Sequence, residues 1–194
     1  MPTNAPIIPN AVMLDKVIGE IQQGLVEIPW LDVAFGRAQR LIKQTPSGRR
    51  ITTPNVYAGG WNGHGADDYI EVSPDALIGN FSFFAVEDPQ DIRPGVGQKE
   101  FRTPFGLIVW FDCRKAFNSA TNRNTEKLKG DVLKVLTGRS GFALKQGHIE
   151  VNRIYEQAQN IYRGYSLDEV DNQFLMHPFG GFRIEGYLYY FEVC

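Results

Sequence analysis

The chain ends in its strongest strand signal, Phe182 to Phe191, which reads FRIEGYLYYF. Successive side chains of a strand alternate between faces. Phe182, Ile184, Leu188 and Tyr190 therefore share one face, and Arg183, Glu185, Tyr187, Tyr189 and Phe191 share the other. The first set is a core face. The second sets a charge pair beside three aromatic rings and calls for cover by another sheet, a helix or a partner chain. Just upstream, Met176-His177-Pro178-Phe179-Gly180-Gly181 is a turn signal leading into this strand. A second run, Phe105 to Cys113 (FGLIVWFDC), is the most apolar strand candidate and reads as the centre of a sheet.

Helices are marked at four places. Asn10 is positioned to cap a helix in which Ala11, Leu14, Ile18, Ile21 and Leu25 recur at spacings of three and four. The stretch from Leu31 to Ile42 reads as a second helix, with Arg37 and Arg40 on one of its faces. Asn124 or Thr125 caps a third, whose Leu128, Val132, Leu133, Val135 and Leu136 form a buried stripe and which Gly138 stops. Leu167 to Leu175 reads as a short helix before the last strand.

Strand texture begins at Arg49. Ile51 to Tyr57 is an edge or interrupted strand because of Pro54. Tyr69 to Val72 and Gly79 to Val86 are strands, Glu87 to Gly97 is a long loop, and His148 to about Ile154 is a strand followed by irregular structure. The expected fold class is α+β: a mostly antiparallel sheet with amphipathic helices packed on one face. Residues 1–9 are expected to form a flexible N-terminal arm. Residues 10–194 are expected to form a single domain with a loop-rich insertion around 51–100.

At 194 residues the chain is long enough to bury a core, and 43% hydrophobic with 22% charged residues is an ordinary globular balance. A net charge of −2 lacks the basic excess of a groove-wide nucleic-acid surface, so no direct nucleic-acid contact is expected. No run approaches the roughly 18 apolar residues of a membrane span, and the N-terminus lacks a signal pattern, so the expectation is a cytoplasmic product that avoids membranes. Cys113 and Cys194 read as reduced thiols.

Catalytic signals are sparse. Trp61-Asn62-Gly63-His64-Gly65-Ala66-Asp67-Asp68 places one histidine near two carboxylates, the ingredients of an acid–base pair. It reads first as a solvated loop anchored by Trp61; a small hydrolase using His64 with Asp67 or Asp68 is the competing reading. His177 is a turn residue. The three histidines lack the paired spacing of a metal site. The phosphate-loop and dinucleotide glycine patterns do not occur, and Gly95-Val96-Gly97 is too short to count. No catalytic, cofactor or metal residue is assigned.

Three features of the C-terminal half, in this order, resemble the tail terminator (tail completion) proteins of long-tailed bacteriophages and prophages. They are the apolar strand Leu107 to Asp112 leaving the charged end Arg114-Lys115, the amphipathic helix Thr125 to Thr137, and Tyr165-Ser166-Leu167-Asp168 leading to His177 through Glu185. The N-terminal amphipathic helix is also similar. The resemblance implies a structural virion protein without an active site. It would form a homo-oligomeric ring, commonly a hexamer, on the end of the tail tube and join tail to capsid. Its partners would be tail-tube and head–tail connector proteins, and its place the virion tail. The stretch from Ile51 to Gly97 is longer than in compact members, which keeps a connector or adaptor role as the alternative. Candidate interface residues are Tyr187, Tyr189, Phe191 and Trp61, with Arg37 and Arg40 beside them.

Overall fold

The computed structural model describes residues 4–75, 77–94, 99–119, 121–137 and 147–191. In chain order the elements are α1 (Met13–Leu25), β1 (Val33–Arg37), β2 (Gln39–Gln44), β3 (Arg50–Tyr57), β4 (Tyr69–Glu71), β5 (Phe81–Val86), β6 (Asp91–Pro94), β7 (Lys99–Asp112), α2 (Cys113–Phe117), α3 (Thr125–Thr137), β8 (Gly147–Tyr155), α4 (Ala158–Ile161) and β9 (Phe179–Phe191). A six-stranded sheet runs β1-β5-β7-β9-β8, with β6 continuing beside β7, and a three-stranded sheet runs β2-β3-β4. Every pair is antiparallel except β1 with β5. The class is α+β. No helix among the described residues is long and apolar enough to cross a membrane.

The large sheet is buried on both faces, which explains why β5 and β7 are almost continuously apolar. On one face Leu107, Val109, Phe111, Phe182, Ile184, Leu188 and Tyr190 meet α1 and α3, whose stripes (Leu14, Val17, Ile18, Ile21, Leu25; Leu128, Val132, Leu136) are buried. Each such side chain, fully buried, contributes about 1.5–3 kcal/mol of gross stabilisation. Gly24 lets the two helices approach, since a Cβ there would lie 3.0 Å from Val135 Cγ1. On the other face Phe35, Phe81, Phe83, Ile108 and Trp110 meet Val56 of β3, Val72, and Ile161 and Tyr162 from the segment between β8 and β9. The result is three layers: helices, large sheet, then small sheet beside an irregular segment.

Several expectations are corrected. Leu31 to Ile42 is not a helix: β1 and β2 occupy it, and Arg37 and Arg40 lie on strands of different sheets. A parallel pairing between Val33 and Phe81, distant in sequence, outweighs the local helical spacing. Asn10 does not cap α1; it takes a left-handed conformation (φ 55°), and the helix begins at Met13 without a side-chain cap. β3 is a middle strand. Val72 N–H donates to Pro54 O, and Thr52 N–H donates to Ser166 Oγ. The missing Pro54 donor therefore faces the junction where β4 gives way to Ser166. The expected long loop holds β6, and Cys113 opens α2 rather than ending a strand. Leu167 to Leu175 contains only a one-turn 3-10 helix at Asn172–Leu175.

Other expectations hold. β7 is internal, paired along its length with β9 from Glu100↔Phe191 to Asp112↔Phe179. The α3 stripe packs as expected, and Asn124 Oδ1 accepts from Lys127 N. The segment expected as a flexible N-terminal arm is instead tied down at Asn4 and Pro6: Asn4 forms a parallel bridge to β1, and the buried Gln22 amide donates to Pro6 O and Ala34 O. Gly138, Gly95-Val96-Gly97 and Cys194 lie outside the described residues.

Candidate functional site

The outer end of the β7–β9 ribbon carries the aromatic residues singled out above. Tyr187 lies opposite Pro104 and Glu150, Tyr189 opposite Arg102 and His148, and Phe191 opposite Glu100. These neighbours cover the rings. The Arg102 guanidinium carbon sits 3.5 Å from the Tyr187 ring centroid, a close cation–π contact. His148 stacks on Tyr189 at 4.1 Å and 8°. Arg102 Nε donates to Tyr189 Oη (3.1 Å), and Tyr189 Oη donates to Glu150 Oε2 (2.7 Å). Burial and the bond to Glu150 push the Tyr189 hydroxyl pKa up, against the opposing pull of Arg102. Tyr189 is only 7% exposed. The surface offered outward is thus a lattice of Arg, Tyr, His and Glu rather than bare rings, and its cover comes from flanking strands.

Trp61 stands in a one-turn 3-10 helix (Trp61–Gly63) entered through Gly60 at φ 77°. Its ring meets Phe35 edge-on at 5.3 Å, anchoring the glycine-rich loop to the large sheet, and His64 stacks on it at 6.3 Å. The Asp68 carboxylate accepts from Gly65 N (2.6 Å), and Tyr57 Oη donates to Ala66 O (2.6 Å). Asp67 is exposed. The loop is held by its own hydrogen bonds, with His64 engaged by Trp61. Arg37 pairs with Asp15 of α1 at 3.6 Å, and Arg40 lies 5.8 Å from the Tyr165 ring centroid. Among the described residues no group of three or more His, Cys, Asp or Glu is placed to hold a metal ion.

The sequence reading missed the most buried polar cluster. Arg183 has no exposed surface, yet its guanidinium donates to Glu87 and, through Nε, to Glu185 Oε1 (2.7 Å). Arg163 reaches the same two carboxylates at 3.2 and 2.6 Å. Gly106 makes the room: a Cβ there would fall 2.4 Å from Arg183 Cζ. The Arg183–Glu185 pair on one strand face was the visible half of this signal; Glu87 and Arg163 arrive from remote segments. A shallow cleft of about 220 Å³ runs beside the cluster, lined by Glu87, Phe105, Arg153, Glu185 and Tyr187.

A second cavity, about 230 Å³, opens where α4 and the 3-10 turn Asn172–Leu175 meet the start of β9. Trp110, Phe174 and Phe179 form an aromatic wall, with His177 and Tyr162 also on the lining. Burial raises the Tyr162 hydroxyl pKa, and that hydroxyl has no hydrogen-bond partner among the described residues. Cys113 is buried at the far end of β7; burial first, then the Asp112 charge, pushes its thiol pKa up, which suits an inert thiol. No protein-family model matches the chain, and no curated protein matches it significantly.

Proposed function

We propose that this chain is a tail terminator of a long-tailed bacteriophage or prophage, a structural subunit whose ring caps the tail tube and joins tail to capsid. The observation that carries the reading is where the resembling stretches lie. The apolar strand is β7, its charged end Arg114-Lys115 falls on α2, the amphipathic helix is α3, and the His177–Glu185 stretch leads into β9. β7 and β9 pair residue for residue, and α3 packs on the same sheet face. Features separate in sequence thus form one structural unit. A ring built from one chain needs two unlike surfaces that fit each other. We assign the Arg102–Tyr187–Tyr189 lattice and the Trp61 loop to that contact, and a weak contact suffices when ring closure makes the contacts cooperate. Capping work requires no active site.

The test is deletion from the parent phage. The reading expects tails of uncontrolled length that do not join capsids. Replacing Tyr187 and Tyr189 together by Ser, in a chain that still unfolds cooperatively, is expected to reproduce that defect. Uniform tails joined to capsids in the deletion strain overturn the assignment.

A further inference from the structure

β9 reaches further than the strand beside it. β8 follows it only as far as Tyr155, opposite Arg183, and the chain then turns into α4. The edge of β9 before Arg183 is left without a strand, and the cavity of about 230 Å³ lies at this place. It wraps the edge from both faces of the sheet. Phe111 and Thr125 line it on the helix side, and Ile161, Phe174 and Leu175 on the other.

The backbone groups that open into this notch follow from the register. Cys113 N–H donates to Pro178 O, so these two residues direct their backbones toward each other across the β7–β9 pair. Alternate residues of an antiparallel strand point the same way, which sends Gly180 and Phe182 toward β7 and Phe179 and Gly181 outward. Phe179 N–H is taken by Met176 O. Gly181 N–H, Gly181 O and Phe179 O make no hydrogen bond among the described residues. Gly181 is partly exposed, and crowding keeps it bare: a Cβ there would lie 2.7 Å from Val109 O.

An outward donor and acceptor on one residue are the complement of another residue in extended conformation. A strand laid there continues the line of β8, antiparallel to β9. Its central residue sits opposite Gly181, and the residue two further on donates to Phe179 O. Its side chains alternate between the two faces of the sheet. The central one enters the apolar space beside Ile161, Phe174 and Leu175. Its two neighbours point to the α3 side, where Lys129 is shared by Glu126 (2.5 Å) and Glu156 (2.7 Å). One cation against two carboxylates leaves that rim net negative. We infer that the notch at Gly181 docks a short extended segment of another protein, an apolar residue flanked by lysine or arginine, added beside β9 beyond the end of β8. The inference rests on backbone groups and local charge and is independent of the terminator reading.

The probe is the peptide acetyl-Ala-Lys-Leu-Lys-Ala-amide. One companion carries Glu for Lys, and a second has an ester oxygen in place of the Leu N–H. In the free chain, amide exchange is expected to be fast at Gly181 and slow at Phe182, which bonds to β7. The Lys peptide, at ten times its dissociation constant, should slow exchange at Gly181 about tenfold. The ester should bind about tenfold more weakly, because it lacks the donor to Gly181 O. The Glu peptide should also bind more weakly, by a margin that narrows with added salt. Ala158→Phe, which fills the notch from α4, should abolish binding. If that variant fails to fold, the ester comparison on the unaltered chain decides. A Gly181 amide already protected in the free monomer overturns the proposal. So does absence of binding by the Lys peptide, or its equal binding with either companion. Self-association that protects Gly181 makes the occupant a second copy, and overturns it too.

Discussion

Arg183 and Arg102 project from the same face of the β7–β9 ribbon, and each is held by a carboxylate from a neighbouring strand or loop. Arg183 lies under the segment that carries Ile161 and Arg163 and has no exposed surface. Arg102 has its side chain 24% exposed, with Tyr187 beneath it and Asp91 at 3.2 Å. The inner guanidinium has exchanged water for Glu87 and Glu185; the outer one keeps water as an alternative partner. The same pair chemistry thus specifies packing in the inner half and dresses a surface in the outer half. Burying an ion pair contributes little net stability, but removing one member leaves a stranded charge. Exposed pairs carry no such penalty.

The largest effect that would break this comparison is on Arg183. Arg183→Met leaves the half-exposed Arg163 as the ion-pair partner of Glu87 and Glu185 among the described residues. A loss of about 3–5 kcal/mol in urea unfolding is expected. Arg102→Met, its outer counterpart, is expected to lose far less, because Asp91 is exposed and finds water. Equal losses would mean that cover does not distinguish the two halves.

Tyr189 sharpens the outer half. Its hydroxyl links Arg102 Nε to Glu150 Oε2, so Tyr189→Phe keeps the His148 stack and removes two hydrogen bonds. The expected cost is about 1 kcal/mol in the same assay. A cost approaching that of Arg183→Met would show that the outer lattice holds the ribbon together and does not merely coat it.

Much of this ribbon was legible in the sequence. Alternation placed Phe182, Ile184, Leu188 and Tyr190 against the helices, and the apolar run of β7 marked the sheet centre, because both signals are local consequences of burial. What local pattern could not carry was pairing at a distance. The spacing of Val33, Ala34, Ala38, Leu41 and Ile42 fits a helix as well as strands, and only pairing to Phe81–Phe84 and to β3 decides it. The ion cluster stayed hidden for the same reason: Glu87 and Arg163 are 76 residues apart and meet only through the fold. The outer aromatic surface was recognised, but its Arg and His cover was not, since the pairing that brings Arg102 and His148 to Tyr189 is nonlocal.

The smallest effect concerns Asp112, at the innermost end of the ribbon where charge is partly covered. Burial alone would raise its carboxyl pKa, but bonds from the Arg114 guanidinium and N–H, with the charges of Arg114 and Lys115, outweigh burial and hold it below the ordinary aspartate value. A carboxyl lowered on folding stabilises the native state above its unfolded pKa of about 3.9, and the contribution fades as pH falls through the lower folded value. Asp112→Asn keeps an acceptor for Arg114 N–H at the start of α2, so the cap survives and only the charge is lost. Arg114 is half exposed, which limits the charge contribution and makes this the weakest of the three effects. Unfolding curves of the parent and variant should therefore differ slightly at neutral pH and converge as the pH is lowered below 3.9 or so. A difference that stays constant down to the acid limit would assign the loss to the packing of Asp112 beneath Asn80, whose Oδ1 accepts from Asp112 N, and would place covered charge at this end of the ribbon in the same inert class as the outer pair of Arg102 and Asp91.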